Sequence, residues 1–264
     1  MKLLSLLVLL FGLAGCVHAP PREATGLTAE VFWRDQALRR SRLSVISAKL
    51  RLRYEAHKDG VSGRGRLLTQ LPSGLRLELR DPLGRVQYQV TIDGEQFAAY
   101  YPSQKRVYLD AKAGAEYMKR FLGVSFSFRD LHSLLMGILP DSFSGNALQG
   151  WDWDSGAGLY RARLEKNGVK LALGIDPDSA ALRELTWESA RDSARVTYQD
   201  FFPCCGSPLE TNRPRLGGLV SVKLDKARSQ VEAEWEDVVM VEPTKDGETF
   251  RPTLPADVKR VALP

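Results

Sequence analysis

Apolar and polar residues alternate with a period of two along much of the chain. In the stretches 48–56, 75–79 and 86–92 every second residue is apolar, and its neighbours are charged or polar. Such strands have one apolar face and one hydrated face, which is typical of an antiparallel sheet covered on one side. More strands of this kind follow, among them "GLYRARLEK", "VKLALGID", "ARVTYQDF" and "QVEAEWEDVVMVE". The pattern predicts a mainly β protein with about a dozen short strands.

Two segments have helical spacing instead. The stretch 28–43 begins with Thr28 as a candidate N-cap, and its apolar residues recur among charges. In 113–139 the apolar residues recur every three or four positions, and "SFRDLHSLLMGILP" predicts an amphipathic helix that Pro140 ends. A sheet of this size curls, and its concave face must be filled. We therefore expect a half-closed antiparallel β-barrel with an N-terminal helix and a central helical lid or plug.

A half-open barrel plugged by a helix leaves room for an elongated apolar ligand between the helix and the sheet. The alternative is that helix and sheet pack tightly and leave no cavity. If a cavity exists, the apolar faces of the strands and of the central helix should line it. The candidate lining residues are Leu75, Leu77, Leu79, Tyr88, Val90, Ile92, Leu134, Leu135, Ile138 and Trp235.

The N-terminus has the features of an export signal. Lys2 precedes "LLSLLVLLFGLAG", an apolar run that ends in small residues and is too short for a comfortable transmembrane span. The ending of 13–16 resembles a bacterial lipobox, which implies cleavage before Cys16 and acylation of this cysteine with chains such as palmitate. The alternative is an ordinary cleaved signal that contains a cysteine. We expect a signal peptide at 1–15, a flexible tether at 16–27 and a single domain at 28–264.

Composition excludes several classes of function. The 264 residues carry a formal charge of only +5, and their basic residues are scattered, so nucleic-acid binding is not expected. The three histidines, His18, His57 and His132, have no metal-ligand or catalytic-triad spacing, and no nucleotide-binding motif is visible. We expect no enzyme activity and no cofactor. The adjacent Cys204 and Cys205 fall short of a four-ligand zinc site, and they are either loop thiols or an oxidised pair.

The stretch "LRLELRDPLGRVQYQV" places a leucine at the tip of a polar hairpin. The sequence of 81–84, Asp-Pro-Leu-Gly, is favourable type I turn chemistry and tolerates Leu83 at the second central position. Turn chemistry explains the hairpin, but it does not require an exposed leucine there.

This hairpin, the segment up to "FRDLHSLLMGILP" and the closing "ETFRPTLPADVKRV" resemble the outer-membrane lipoprotein receptor LolB and LolB-like lipoproteins. The resemblance implies a half-closed barrel whose cavity accepts the acyl chains of lipoproteins handed over by a periplasmic carrier. It implies that Leu83, the match to the protruding leucine of the family, contacts the membrane. It also implies a lipid-anchored monomer at the bacterial outer membrane facing the periplasm. Val17 agrees with that location, because an aspartate at this position resembles an inner-membrane retention signal.

Two hypotheses therefore remain. In the first, the protein receives lipoproteins or lipids in an apolar cavity and passes them into the outer membrane. In the second, it is an outer-membrane scaffold of the same fold, its helix packs shut, and the Pro- and Gly-rich loop 201–218 makes the contacts.

Overall fold

Helix α1, Ala29–Leu43, is the first element of the computed structural model. Thr28 lies at its N-terminus, as the sequence predicts, and the Thr28 hydroxyl accepts a hydrogen bond of 3.4 Å from the Val31 N–H. The helix buries one face, whose residues recur every three or four positions: Phe32, Gln36, Arg39 and Leu43.

The structure describes residues 23–43, 45–56, 59–70, 74–112, 114–122, 124, 126–144, 148–204, 213–225, 228–243, 247–252 and 254–263. Fourteen strands lie within these ranges. In chain order they are β1 Val45–Ala56, β2 Asp59–Gln70, β3 Gly74–Arg80, β4 Val86–Asp93, β5 Gln96–Tyr101, β6 Arg106–Asp110, β7 Gln149–Asp154, β8 Leu159–Lys166, β9 Val169–Ile175, β10 Leu182–Glu188, β11 Ser193–Pro203, β12 Arg215–Leu224, β13 Ser229–Met240 and β14 Lys259–Ala262. Helices α2, Ala115–Leu122, and α3, Phe128–Leu135, lie between β6 and β7, and 3₁₀ turns cover Pro102–Gln104, Asp141–Phe143 and Gly247–Phe250.

All fourteen strands belong to one sheet, in the order β14-β6-β5-β4-β3-β2-β1-β13-β12-β11-β10-β9-β8-β7. Neighbouring strands are antiparallel except β14 and β6, which are parallel. The two outer strands, β14 and β7, are not paired with each other, so the described sheet curls without closing. The predicted mainly β, half-closed architecture with an N-terminal helix and central helices is confirmed, with more strands than the dozen expected.

The strands follow the alternation of the sequence where one face is buried. On β3 the side chains of Leu75, Leu77 and Leu79 are buried, whereas those of Arg76 and Glu78 are only partly covered. The buried face belongs to the main core, to which α1, α2 and α3 also contribute. The three helices therefore cover the concave face of the sheet.

Burial also alternates along β2, where Gly65, Leu67 and Thr69 are buried, but the sequence does not predict this strand because glycines occupy part of its buried face. Its glycines are explained by close packing: a Cβ at Gly63 would lie 2.9 Å from the Arg80 carbonyl oxygen, and one at Gly65 would lie 3.0 Å from a Leu79 methyl carbon. The glycines let β2 approach β3 closely, at the expense of the side chains that would have indicated a strand.

Polar side chains of α1 connect it to the segment that follows α3. The Gln36 amide accepts a hydrogen bond of 2.9 Å from the Leu139 N–H, and it donates one of 3.4 Å to the Gly137 carbonyl. Arg40 donates to the Leu139 carbonyl at 2.7 Å. Arg39, 2 % exposed, pairs with Asp35. The contacts of Gln36 and Arg40 fix the segment after α3 against α1.

The C-terminal segment covers the other side of the sheet. The ring of Phe250, which is 4 % exposed, occupies the space above Gly74, where a Cβ would meet the ring at 2.3 Å. Leu254 and Val258 pack against the small outer cluster around Val107. Strand β14 then completes the edge beside β6.

The two ends of the loop predicted at 201–218 are strand, and 205–212 lie outside the described residues. β11 extends to Pro203, and β12 begins at Arg215, its register partner. Phe201 pairs with Gly217, so the β11–β12 ladder extends into both ends of the predicted loop. Cys204 is buried, and its N–H donates to the Pro214 carbonyl at 2.9 Å. Cys205 lies outside the described residues.

Candidate functional site: an apolar cavity beneath the helices

A cavity of about 880 Å³ lies between the concave face of the sheet and the helices α2 and α3. Most of its wall consists of leucine and aromatic side chains. The lining residues are Leu50, Leu52, Tyr54, Leu67, Leu75, Leu77, Leu79, Asp81, Arg85, Val86, Gln87, Tyr88, Tyr101, Pro102, Ser103, Gln104, Tyr117, Phe121, Phe128, Leu131, His132, Leu135, Val231 and Trp235. Helix and sheet therefore do not pack shut in this part of the described structure.

The opening of the cavity is marked by those lining residues that solvent reaches. They are Arg85 and Gln87 at the start of β4, Ser103 and Gln104 in the 3₁₀ turn, and Phe121 in the last turn of α2. The mouth thus lies between the β3–β4 hairpin, the turn after β5 and the end of α2.

Helix α2 is positioned by Asp110, the last residue of β6. The Asp110 carboxylate accepts hydrogen bonds from the backbone N–H groups of Lys112 at 2.8 Å, Glu116 at 2.8 Å and Tyr117 at 3.1 Å. It satisfies amide groups that the helix itself cannot satisfy, as a capping residue does. With the helix fixed in this way, Tyr117 and Phe121 face the cavity.

Helix α3 has defined ends. Ser127 forms a capping box with Asp130, the Ser127 hydroxyl accepting from the Asp130 N–H at 3.1 Å and the Asp130 carboxylate accepting from the Ser127 N–H at 2.9 Å. At the other end Gly137 has a φ of +67°, and the Ile138 N–H donates to the Ser133 carbonyl at 2.9 Å. This is a Schellman ending, so Gly137 ends the helix. The prediction that Pro140 ends it is wrong.

Three tyrosine hydroxyls are hydrogen-bonded to one another in the wall. Tyr88 donates to the Tyr117 hydroxyl at 3.2 Å, and Tyr101 pairs with the same hydroxyl. Burial raises the pKa of all three phenols above the usual value, well above it for Tyr88. The cluster is therefore uncharged at neutral pH, and its polar atoms already have partners.

Two other polar groups of the wall lack a partner among the described residues. The imidazole of His132 is 3 % exposed and neither ring nitrogen is hydrogen-bonded, and the indole N–H of Trp235, 6 % exposed, has no acceptor. Burial lowers the pKa of His132 from 6.5 to about 4, so the ring is neutral at pH 7. The sequence predicted Trp235 as a lining residue, but nothing in the spacing of Trp235 or His132 shows whether a ring nitrogen will find a partner.

The hairpin between β3 and β4 is held by Asp81. Its carboxylate accepts from the N–H groups of Leu83 and Arg85, both at 2.9 Å, and from the Arg85 guanidinium at 2.7 Å. These hydrogen bonds, the one from the Arg85 backbone first, lower the pKa of the Asp81 carboxyl. Gly84, with a φ of +80°, completes the turn. Leu83 lies at the tip and is 77 % exposed, while Asp81 and Arg85 belong to the cavity wall.

The structure brings some of the expected lining residues together and separates others from them. Those in the cavity wall are Leu75, Leu77, Leu79, Tyr88, Leu135 and Trp235. Those in the closed core, outside the wall, are Val90, Ile92, Leu134 and Ile138, each at most 3 % exposed. Cys16, the expected lipidation site, lies outside the described residues.

Sequence reasoning missed a large part of the wall. The aromatic side chains of Tyr101, Tyr117, Phe121 and Phe128 were not predicted to line a cavity, although the helical spacing of the last three placed them on one apolar face. The hairpin base and the turn after β5 were missed as well, because turn residues carry no periodic signal.

The described residues contain no group of three or more His, Cys, Asp or Glu side chains that could hold a metal ion. Among the helices of the described part, none has the length and apolar character needed to cross a membrane.

No protein-family model matches the sequence, and no curated protein matches it. Solved structures do match. A candidate outer membrane lipoprotein-sorting protein domain from Vibrio parahaemolyticus superposes with a TM-score of 0.55 at 13 % identity, over 84 % of this chain and 97 % of that domain. A LolA superfamily protein from Nitrosomonas europaea gives a TM-score of 0.53 at 12 % identity, over 86 % of this chain and 99 % of that protein. The chain shares its fold with these two proteins.

A DUF1329 family protein from Desulfovibrio piger is also similar to the chain, with a TM-score of 0.52 at 8 % identity, over 90 % of this chain and all of that protein. At such identities the likeness concerns the fold alone. The mainly β, half-closed architecture expected from the sequence is thus also that of these solved structures.

Proposed function

We propose that this protein binds the acyl chains of lipoproteins or lipids in its cavity and passes them into the outer membrane. The observation that carries the proposal is the partly open cavity of about 880 Å³ beneath α2 and α3, lined mostly by leucine and aromatic side chains. Its volume lies in the range of roughly 300–1,000 Å³ that ligand sites occupy. A scaffold whose helices pack against the sheet would not need this space.

The chemistry of the wall favours an uncharged chain. The charged lining residues, Asp81 and Arg85, lie at the mouth and pair with each other at 2.7 Å. Each methylene moved from water into an apolar wall contributes about 0.8 kcal/mol, so a dozen buried methylenes contribute roughly 10 kcal/mol before the entropy of association is subtracted. An acyl chain is therefore shielded here rather than exposed to water.

The hairpin tip supports a role at a membrane. Leu83 is 77 % exposed and lies two residues from both Asp81 and Arg85 of the mouth. Burying one leucine in a bilayer contributes about 1.5–3 kcal/mol. This amount does not anchor a protein, but it orients the mouth toward a bilayer that an anchor already holds nearby.

The anchor in this proposal is Cys16, acylated after removal of 1–15 and joined to the domain by the tether 16–27. Two or more acyl chains on Cys16 would hold the protein stably at the outer membrane, facing the periplasm. The protein acts as a monomer that receives its cargo from a periplasmic carrier. Transfer runs downhill, from weaker binding by the carrier to stronger binding by this protein and then to the membrane.

The test is native mass spectrometry of the chain 16–264 with Cys16→Ala, expressed in the periplasm and purified without detergent. We expect bound acyl species. Leu52 is partly buried in the cavity wall on β1, so Leu52→Arg places a charge in the apolar space and should reduce bound acyl species about tenfold or more.

The matched control is Leu159→Arg, the same change at a partly buried leucine on β8, outside the cavity wall. It should leave the bound species unchanged. A ligand-free mass under conditions in which a known lipoprotein carrier retains lipid would refute acyl binding and favour the scaffold.

A further inference from the structure

The last turn of α2 exposes an aromatic side chain next to basic ones. Phe121 is 39 % exposed, although its ring also packs against the rings of Tyr108 and Tyr117, each with a centroid distance of 4.8 Å. Lys119 and Arg120 precede it in the chain, and both are exposed. The guanidinium carbon of Arg120 lies 5.8 Å from the centroid of the Phe121 ring. An apolar ring and a cation thus lie side by side on the surface.

A further basic side chain reaches the same aromatic cluster. Arg106, at the start of β6, donates a hydrogen bond of 3.2 Å to the hydroxyl of Tyr108, whose own ring contacts Phe121. Neither Arg106 nor Arg120 forms an ion pair with any described residue. We call Arg106, Lys119, Arg120 and Phe121 the α2 patch. Because Phe121 also lines the cavity, this patch borders the cavity mouth.

The α2 patch and its surroundings carry a positive charge that the described residues do not balance. Glu116 is the acidic residue of α2, and two lysines share it, Lys112 at 3.4 Å and Lys119 at 3.7 Å. One positive charge therefore remains on these three side chains. The guanidinium groups of Arg106 and Arg120 each add another, since neither pairs with a described carboxylate. A surface with negative charge is the complementary partner.

Val239 and Met240, at the end of β13, provide a contrast. They are 47 % and 51 % exposed, but they do not line the cavity. The residues before them in the chain are acidic, Glu236 and Asp237 among them. A helix dipole favours basic residues in the last turn of any helix, but it does not account for an exposed aromatic ring next to them. The α2 patch is thus distinguished by an exposed ring and unbalanced cations at the cavity mouth.

We propose that the α2 patch docks on a membrane surface that contains anionic phospholipids. Segments that lie in the membrane interface combine basic residues with aromatic or leucine side chains, and their binding adds apolar burial to attraction by anionic headgroups. The inference rests on the proposed function for its target, a membrane. It adds the kind of lipid and a second contact, on the side of the mouth formed by α2, besides Leu83 on the hairpin.

The experiment measures sedimentation of the chain 16–264 with Cys16→Ala on phosphatidylcholine vesicles, with and without phosphatidylglycerol. Each basic side chain near an anionic surface contributes a factor of about five, so the parent should prefer the anionic vesicles about a hundredfold. The double variant Lys119→Gln, Arg120→Gln should bind the anionic vesicles about twentyfold more weakly and the neutral ones equally well. At about 1 M salt, where the Debye length is about 3 Å, the preference should disappear.

The matched control removes the same charge elsewhere. Arg195 and Lys223 are exposed register partners on β11 and β12, outside the cavity wall. The double variant Arg195→Gln, Lys223→Gln should bind the anionic vesicles as the parent does, because charges away from the contact are screened by salt. All four side chains are exposed, so neither double variant should affect folding.

A second measurement locates the ring of the α2 patch relative to the bilayer. In Phe121→Trp the added indole fluorescence should be quenched by anionic vesicles whose acyl chains carry bromine, because the side chain enters the interface. Val239→Trp places the same fluorophore at an exposed position outside the cavity wall, and its added fluorescence should not be quenched. Equal quenching in the two variants would overturn the assignment of the contact to α2.

The outcomes separate the two proposals. Equal affinity of the parent for both kinds of vesicle, or equal losses in the two double variants, would overturn docking by the α2 patch. Bound acyl species in native mass spectrometry would still support the proposed function in that case. A ligand-free mass would refute acyl binding, and the vesicle measurements would then decide the docking alone.

Discussion

The burial of His132 predicts how the stability of this protein depends on pH, and His132→Phe is the perturbation that isolates it. The imidazole lies in the cavity wall, 3 % exposed, and burial lowers its pKa from 6.5 to about 4. Phenylalanine has a similar ring and no titratable group. Removing a buried polar group without a partner should leave the free energy of unfolding at pH 7 unchanged or raise it by about 1 kcal/mol.

The sign and size of the effect follow from proton binding. Between pH 6.5 and about pH 4 the unfolded chain carries a proton on His132 that the folded chain lacks. The free energy of unfolding therefore falls as the pH decreases through this window. At about 1.4 kcal/mol per pKa unit, the loss caused by His132 is about 2 kcal/mol at pH 5 and about 3 kcal/mol below pH 4.

Urea unfolding of the parent and of His132→Phe at pH 7 and pH 5 measures this difference. Other groups titrate in both proteins, so the difference between the two losses reports His132 alone. We expect the parent to lose about 2 kcal/mol more than the variant. An NMR titration of the His132 ring provides a direct check. Equal losses in both proteins, or a ring that titrates near 6.5, would refute the reasoning.

Three further substitutions test other parts of the structure. Leu83→Glu should leave the free energy of unfolding within about 0.5 kcal/mol of the parent, because Leu83 is 77 % exposed. The same change should weaken sedimentation with lipid vesicles about tenfold or more, and unchanged sedimentation would argue against membrane contact. Asp110→Asn weakens the cap of α2 and should lower the free energy of unfolding in urea by about 1–2 kcal/mol, and a neutral result would show that the carboxylate charge is not needed there. Tyr198→Phe removes the hydrogen bond of 2.6 Å from the Tyr198 hydroxyl to the Leu134 carbonyl, and calorimetry should show that the free energy of unfolding falls by about 1–2 kcal/mol. A variant as stable as the parent would contradict this prediction.

The sequence carries strong information where one face of a strand is buried. Strand β3 could be predicted because Leu75, Leu77 and Leu79 all face the core. Strand β2 could not, because the positions where Gly63 and Gly65 approach β3 exclude larger side chains and thereby remove the alternation. A local pattern of apolar residues shows which side chains are buried. Where glycines let a strand pack through its backbone, as in β2, that pattern is missing.

The candidate site was predictable only in part, for a geometric reason. Tyr88, Val90 and Ile92 lie on the same face of β4, but only Tyr88 lines the cavity, whereas the other two lie in the closed core. Alternation identifies the face, but it does not show where along the strand the cavity ends. The unpartnered nitrogens of His132 were equally invisible, since they depend on what the fold brings near them.

The order of the strands has a consequence for how the protein folds. β1 to β6 are neighbours in both sequence and sheet, and so are β7 to β13, so each set can form from contacts that are local in the chain. The two sets meet where β1 pairs with β13, for example Leu52 with Ala233. Pairing two strands so far apart in the sequence has a large entropic cost, which slows this step. The step can occur only after nearly the whole chain is available. Substitutions at this seam should therefore slow folding more than substitutions in a hairpin, and the cavity, whose wall draws on both β1 and β13, is completed only when the seam closes.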